Sequence, residues 1–126
     1  MHIVTRSVRR LVVTIVVIGA MVLAATPALA ADVSVRNAAK KCHVKGNLAD
    51  RGRTISFDTA GEEDYGVGDD IEDIACVLLA LRAPSFVVTE IDNTRALDGM
   101  QRDHWRTFKA SWTYHPDDGL NIVIHE

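Results

Sequence analysis

The stretch Phe108-Lys109-Ala110-Ser111-Trp112-Thr113-Tyr114-His115-Pro116-Asp117-Asp118-Gly119-Leu120-Asn121-Ile122-Val123-Ile124 decides the fold class. Phe108, Ala110, Trp112 and Tyr114 alternate with Lys109, Ser111 and Thr113, the period of a strand with one packed face and one wet face. Pro116-Asp117-Asp118-Gly119 has the composition of a turn, and Leu120, Ile122 and Ile124 supply the inner face of a returning strand. A β-hairpin is therefore predicted over His104 to Glu126.

Working outward, Phe86 to Ile91 is rich in β-branched residues and predicts a further strand, and Thr54-Ile55-Ser56-Phe57-Asp58 predicts a short one with Ile55 and Phe57 inward. Between them Ile71, Ile74, Ala75, Leu78 and Leu81 recur at helical spacing until Arg82-Ala83-Pro84 stops the helix. Asp69-Asp70-Ile71-Glu72 has the form of a capping box at its start, and carboxylates there favour the positive end of the helix dipole. Asn37 to Lys41 predicts one or two further helical turns. The expected fold is α+β, a small antiparallel sheet of about four strands with one long helix packed on a face.

Residues 1–30 have the organisation of a secretory signal peptide: Arg6, Arg9 and Arg10, then apolar Leu11 to Ala25, then the small-x-small ending Ala28-Leu29-Ala30. A membrane span needs about 20 apolar residues, and this run is shorter and interrupted by Thr26-Pro27. The segment is expected to be cleaved, so that the membrane is met only through the signal peptide before cleavage. The first cysteine is Cys42, which leaves no lipid-bearing residue at the cleavage site, and Val8 departs from the twin-arginine pattern. The general secretory route and a secreted, extracellular destination are expected.

Residues 31–126 then form a single secreted domain of 96 residues. Cleavage removes three of the 14 basic residues and none of the 17 acidic ones, leaving 11 against 17 and a net charge of −6. That balance argues against a nucleic-acid partner, which would be held through clustered Lys and Arg. Cys42 and Cys76 remain in an oxidising destination and are expected to form a disulfide. A redox pair would show Cys-x-x-Cys, which is absent.

Asn93 to His104 is too long for a tight turn and carries the candidate binding residues Arg95, Leu97, Met100 and Arg102, with Trp105 at its edge. Guanidinium groups beside apolar tips are the mixture found at interface hot spots. The other reading keeps Leu97 and Met100 under the sheet and pairs the arginines with nearby aspartates. The eight carboxylates from Asp58 to Asp73 include Asp64, Asp69 and Asp70, close enough in sequence to meet a calcium ion. The order of ligands is nevertheless not that of an EF-hand loop, and a solvated, helix-capping stretch is expected. His43, His104, His115 and His125 lack zinc-ligand spacing. No nucleophile elbow, phosphate loop or His-Glu-x-x-His stands in the chain, so no catalytic residues, metal or cofactor are assigned, and pairs such as Asp92 with His104 or His115 carry no motif.

Ile91-Asp92-Asn93-Thr94-Arg95-Ala96-Leu97-Asp98-Gly99-Met100-Gln101 and Ala110 to Leu120 resemble small exported actinobacterial proteins of unassigned activity, over the C-terminal third of the chain. The order strand, helix, three strands is similar to that of the secreted subtilisin-inhibitor family. In that family the inhibitory loop lies between the helix and the next strand and is held by a second disulfide, whereas Arg82-Ala83-Pro84-Ser85 has neither the length nor the cysteine. The expected function is a small non-enzymatic secreted binding protein that engages a protein or cell-surface partner. The alternative is a secreted protease inhibitor or a small envelope-acting hydrolase.

Overall fold

The computed structural model describes residues 32–126; the expected signal peptide, residues 1–30, lies outside the described residues. The period-two pattern of Leu120, Ile122 and Ile124 puts three buried side chains on one face of β5 (Gly119–His125), the middle strand of the sheet. β4 (Phe108–His115) pairs with it on one side, Ala110 opposite Ile124 and Trp112 opposite Ile122. β2 (Thr54–Asp58) pairs on the other, with Ile55 and Phe57 opposite the same two isoleucines. An apolar band thus crosses three strands at two successive levels. Short β1 (Leu48–Ala49) and β3 (Gln101–Trp105) complete an antiparallel sheet of order β1-β2-β5-β4-β3.

Three helices bury this band: α1 (Val35–Lys41) through Val35, Ala38 and Ala39, α2 (Ile71–Ala80) through Ile74, Val77 and Leu78, and α3 (Ser85–Asn93) through Val87 and Ile91. Their side chains and those of the sheet form one core cluster, which contains no buried charged residue. Ser34 caps α1 by accepting from the Asn37 N–H, and Lys40 and Lys41 occupy its negative end. Among the described residues no helix is long and apolar enough to cross a membrane.

The fold class is α+β as expected, with five strands rather than four; beside the long helix α2 and the short helical stretch expected at Asn37 to Lys41, now α1, stands a third helix, α3. Phe86 to Ile91, read as a strand, lies in α3. Its β-branched side chains cost a helix a few tenths of a kcal/mol each. Burying Val87 and Ile91, four residues apart on one face, outweighs that cost. Thr89 Oγ1 donates to the Ser85 carbonyl, Asn93 Nδ2 to Thr89 and Thr94 Oγ1 to Glu90, so the polar side chains of this helix bond to the preceding turn. The C-terminal hairpin is really a three-strand meander, because Gln101–Trp105 pairs with β4 across the two-residue turn Arg106-Thr107. The capping box is also corrected. Asp70 is the N-cap of α2 without a side-chain cap bond, and Asp69 Oδ2 instead accepts the Asp58 N–H at 2.9 Å.

The acidic stretch before α2 is less free than its composition suggests. Glu62 N–H donates to the Pro116 carbonyl and Glu63 N–H to Asp117, docking the loop on the β4–β5 turn. Gly119, at φ 76°, faces the Thr59 carbonyl oxygen, which a Cβ there would overlap.

Cys42, immediately after α1, and Cys76, within α2, form the expected disulfide, with Cα atoms 5.9 Å apart. It joins two helices at a sequence separation of 34 residues. Reduction, or replacement of both cysteines by Ala, is expected to cost about 3–4 kcal/mol by the loop-entropy argument. A urea titration with and without reductant checks this through the shift of the unfolding midpoint.

Candidate functional site

Between the end of α3 and the start of β3 the chain makes a 3-10 turn, Ala96–Asp98, built by its own side chains. Asp98 Oδ2 accepts the Arg95 N–H at 2.8 Å, and Asp98 N–H returns to the Arg95 carbonyl at 2.9 Å. The Arg95 guanidinium lies 3.2 Å from Asp98 Oδ1. Gly99, at φ 66°, ends the turn in a conformation that favours glycine. The hydrogen bond from the Arg95 backbone, and after it the guanidinium contacts, hold the Asp98 carboxyl below its ordinary value of 3.8.

This closed ring of contacts has a consequence for the residue at its tip. Leu97 is 99% exposed, an apolar side chain held clear of the core by an ordered backbone. Leu97 therefore does not tuck under the sheet, and Met100, 52% exposed, is only partly covered. Arg95 does pair with a nearby aspartate, as the second reading of this segment required.

The five candidate binding residues do not share one surface. Arg95 and Leu97 belong to the turn, and Met100 stands between the turn and β3. Arg102, opposite Ser111 on the outer face of the sheet, points away from the helices. Trp105 is buried on the inner face, where its ring packs 5.8 Å from that of Phe108 and its Nε1 donates to the Leu81 carbonyl at 3.0 Å. Its place is in the core, and the sequence signal for this was its parity with Phe108 across a two-residue turn.

A groove of about 710 Å³ opens on the helical side of the molecule, between α2, α3 and the ends of β4 and β5. Ile74, Leu78, Ile91 and Leu120 form its floor, and Asp69, Asp70, Glu72 and Asp92 stand among its lining residues. Sequence reasoning missed it, having placed the first three carboxylates at a helix cap and Asp92 after a strand.

Asp64 Oδ2 is engaged by the Gly61 N–H and Asp69 Oδ2 by that of Asp58, so these carboxylates serve the backbone. Among the described residues no three His, Cys, Asp or Glu side chains come together as a metal site. Asp92 lines the groove on the helical side while His104 faces out from the opposite side of the sheet, opposite Lys109. His115 Nδ1 accepts the Asp117 N–H at 3.3 Å, which requires that nitrogen to be unprotonated. The carboxylates of Asp117 and Asp118 lie 3.6 and 3.9 Å from the same nitrogen.

The described part of the chain is thus a small α+β domain with one disulfide, an exposed turn closed by Arg95–Asp98 hydrogen bonds and an acidic-rimmed groove. No family model matches the chain, and no curated protein or solved structure matches it.

Because the Asp98 carboxyl is held low in the folded turn, its contribution is fully present at neutral pH and is lost as pH falls below the ordinary carboxylate range. The protection factor of the Arg95 amide, the unprotected exchange rate at each pH divided by the observed rate, should fall as Asp98 protonates in an acid titration followed by NMR, and Asp98→Ala should show low protection already at neutral pH.

Proposed function

We propose that the protein is exported by the general secretory route and acts outside the cell as a non-enzymatic binding protein for a protein or cell-surface partner. The Cys42–Cys76 disulfide, a bond that persists in oxidising compartments, supports export. The observation that carries the binding role is Leu97. An isolated exposed leucine is ordinary on a protein surface. Here, however, the backbone beneath it is closed by the Arg95–Asp98 bonds and Met100 stands a turn away, so contact area is offered without the entropy cost of ordering a loop.

In this reading Leu97 and Met100 enter a shallow apolar pocket on the partner, and Arg95, 81% exposed in its side chain while paired with Asp98, meets a carboxylate at the rim. Arg102 contributes from the sheet face only if the partner reaches around the edge strand β3. Trp105 takes no direct part and keeps β3 in place.

Leu97→Ser should change stability by no more than about 0.5 kcal/mol, since nothing in the fold packs on that side chain. The oxidised protein, immobilised and exposed to the envelope and culture fluid of the producing organism, should retain a partner that the Leu97→Ser protein does not. The Arg95→Ala/Met100→Ala protein should lose the same partner. Equal capture by native and Leu97→Ser baits would refute a binding role for this turn.

A further inference from the structure

We infer that the groove between α2, α3 and the β4–β5 end is a second binding site, one that takes a cationic amphipathic peptide segment. It is carried by features separate from the Leu97 turn. The groove, about 710 Å³ and open to solvent along one side, has room for side chains of a docked segment. Its mouth carries apolar side chains that folding leaves uncovered: Ile71 from α2, 54% exposed, Val88 from α3 and Tyr114 from β4. These come from three elements and converge on one opening, unlike isolated surface hydrophobes.

Charge selects the occupant. Asp69, Asp70, Glu72 and Asp92 line the groove, and no Lys, Arg or His does. Asp69 is partly occupied with the Asp58 N–H, whereas Asp70, Glu72 and Asp92 make no side-chain hydrogen bond or ion pair among the described residues. Like charges collected around one opening repel one another, and an incoming cation relieves that repulsion. An anionic or neutral apolar ligand would satisfy only the floor, and a compact cation only the rim. A peptide segment with leucine-like side chains on one face and Lys or Arg on the other satisfies both, in the manner of an amphipathic helix laid in a groove.

The probe is a fluorescein-labelled Leu/Lys amphipathic peptide of roughly fourteen residues, long enough to form a helix on binding. Its binding to the full chain, produced in an oxidising host and with the disulfide intact, is read by fluorescence anisotropy. Saturable binding is expected, weakened by about tenfold or more in Asp70→Asn/Asp92→Asn and weakened also in Val88→Ser. Asn still suits an N-cap position, so the double variant keeps α2. Glu62→Gln/Glu63→Gln, which removes two carboxylates from outside the groove, should bind as the native protein does. A Leu/Glu peptide should not bind, and oligolysine of the same length should bind at least about tenfold more weakly.

No saturable binding would overturn the inference. So would equal affinity for native protein and Asp70→Asn/Asp92→Asn, or oligolysine binding as tightly as the amphipathic probe. Sedimentation velocity across a concentration series provides a further check: self-association abolished by Asp70→Asn/Asp92→Asn would make the occupant a second copy of this chain and reject the peptide.

Discussion

Two indoles fill the space between the sheet and its helices, and an indole can be buried at low cost only where its N–H meets an acceptor. Trp105 on β3 finds the carbonyl of Leu81, one of the acceptors that the C-terminal end of α2 leaves unpaired. Trp112 on β4 finds Thr94 Oγ1 at 2.8 Å, and that hydroxyl in turn donates to Glu90 at the end of α3. Each bond fastens the C-terminal end of one helix to one strand. Both surface features hang from the second attachment, since Thr94 lines the groove and Arg95, the next residue, opens the turn that carries Leu97.

Alternation in Phe108 to Ile124 and the helical spacing of Ile71 to Leu81 made the two longest strands, their inner face and the main helix legible in the chain, and two cysteines in a domain expected to be exported made their pairing legible. Phe86 to Ile91 misled for a physical reason. Val87 and Ile91 are four apart, and a spacing of four returns to the same face in a strand and in a helix alike. β-branching tipped the reading towards a strand, while the side-chain bonds that suit Thr89, Asn93 and Thr94 to a helix exist only once the helix does. Gln101–Trp105 carries one buried apolar residue in five, so as an edge strand it leaves no alternation to detect.

The site was legible in part. The length and composition of Asn93 to His104 pointed to the turn, but the division of Arg95, Leu97, Met100, Arg102 and Trp105 among a tip, a sheet face and the core depends on where β3 begins. The groove was not legible at all. Asp69, Asp70 and Glu72 have a sufficient local explanation at the start of a helix, and Asp92 joins them only because α3 is a helix lying beside α2.

The disulfide joins the chain on either side of an exposed loop. Tyr65 and Val67 are both largely exposed, in a segment rich in bends and glycine, the kind of site where proteases cut. A single cut there divides the chain into a piece carrying α1 and β2 and a piece carrying everything from α2 onward. Cys42 and Cys76 keep the two covalently joined, and all five residue pairs between β2 and β5 hold them in register. A molecule nicked in protease-rich surroundings would therefore migrate as one chain until reduced, and would keep its sheet, its groove and its exposed turn.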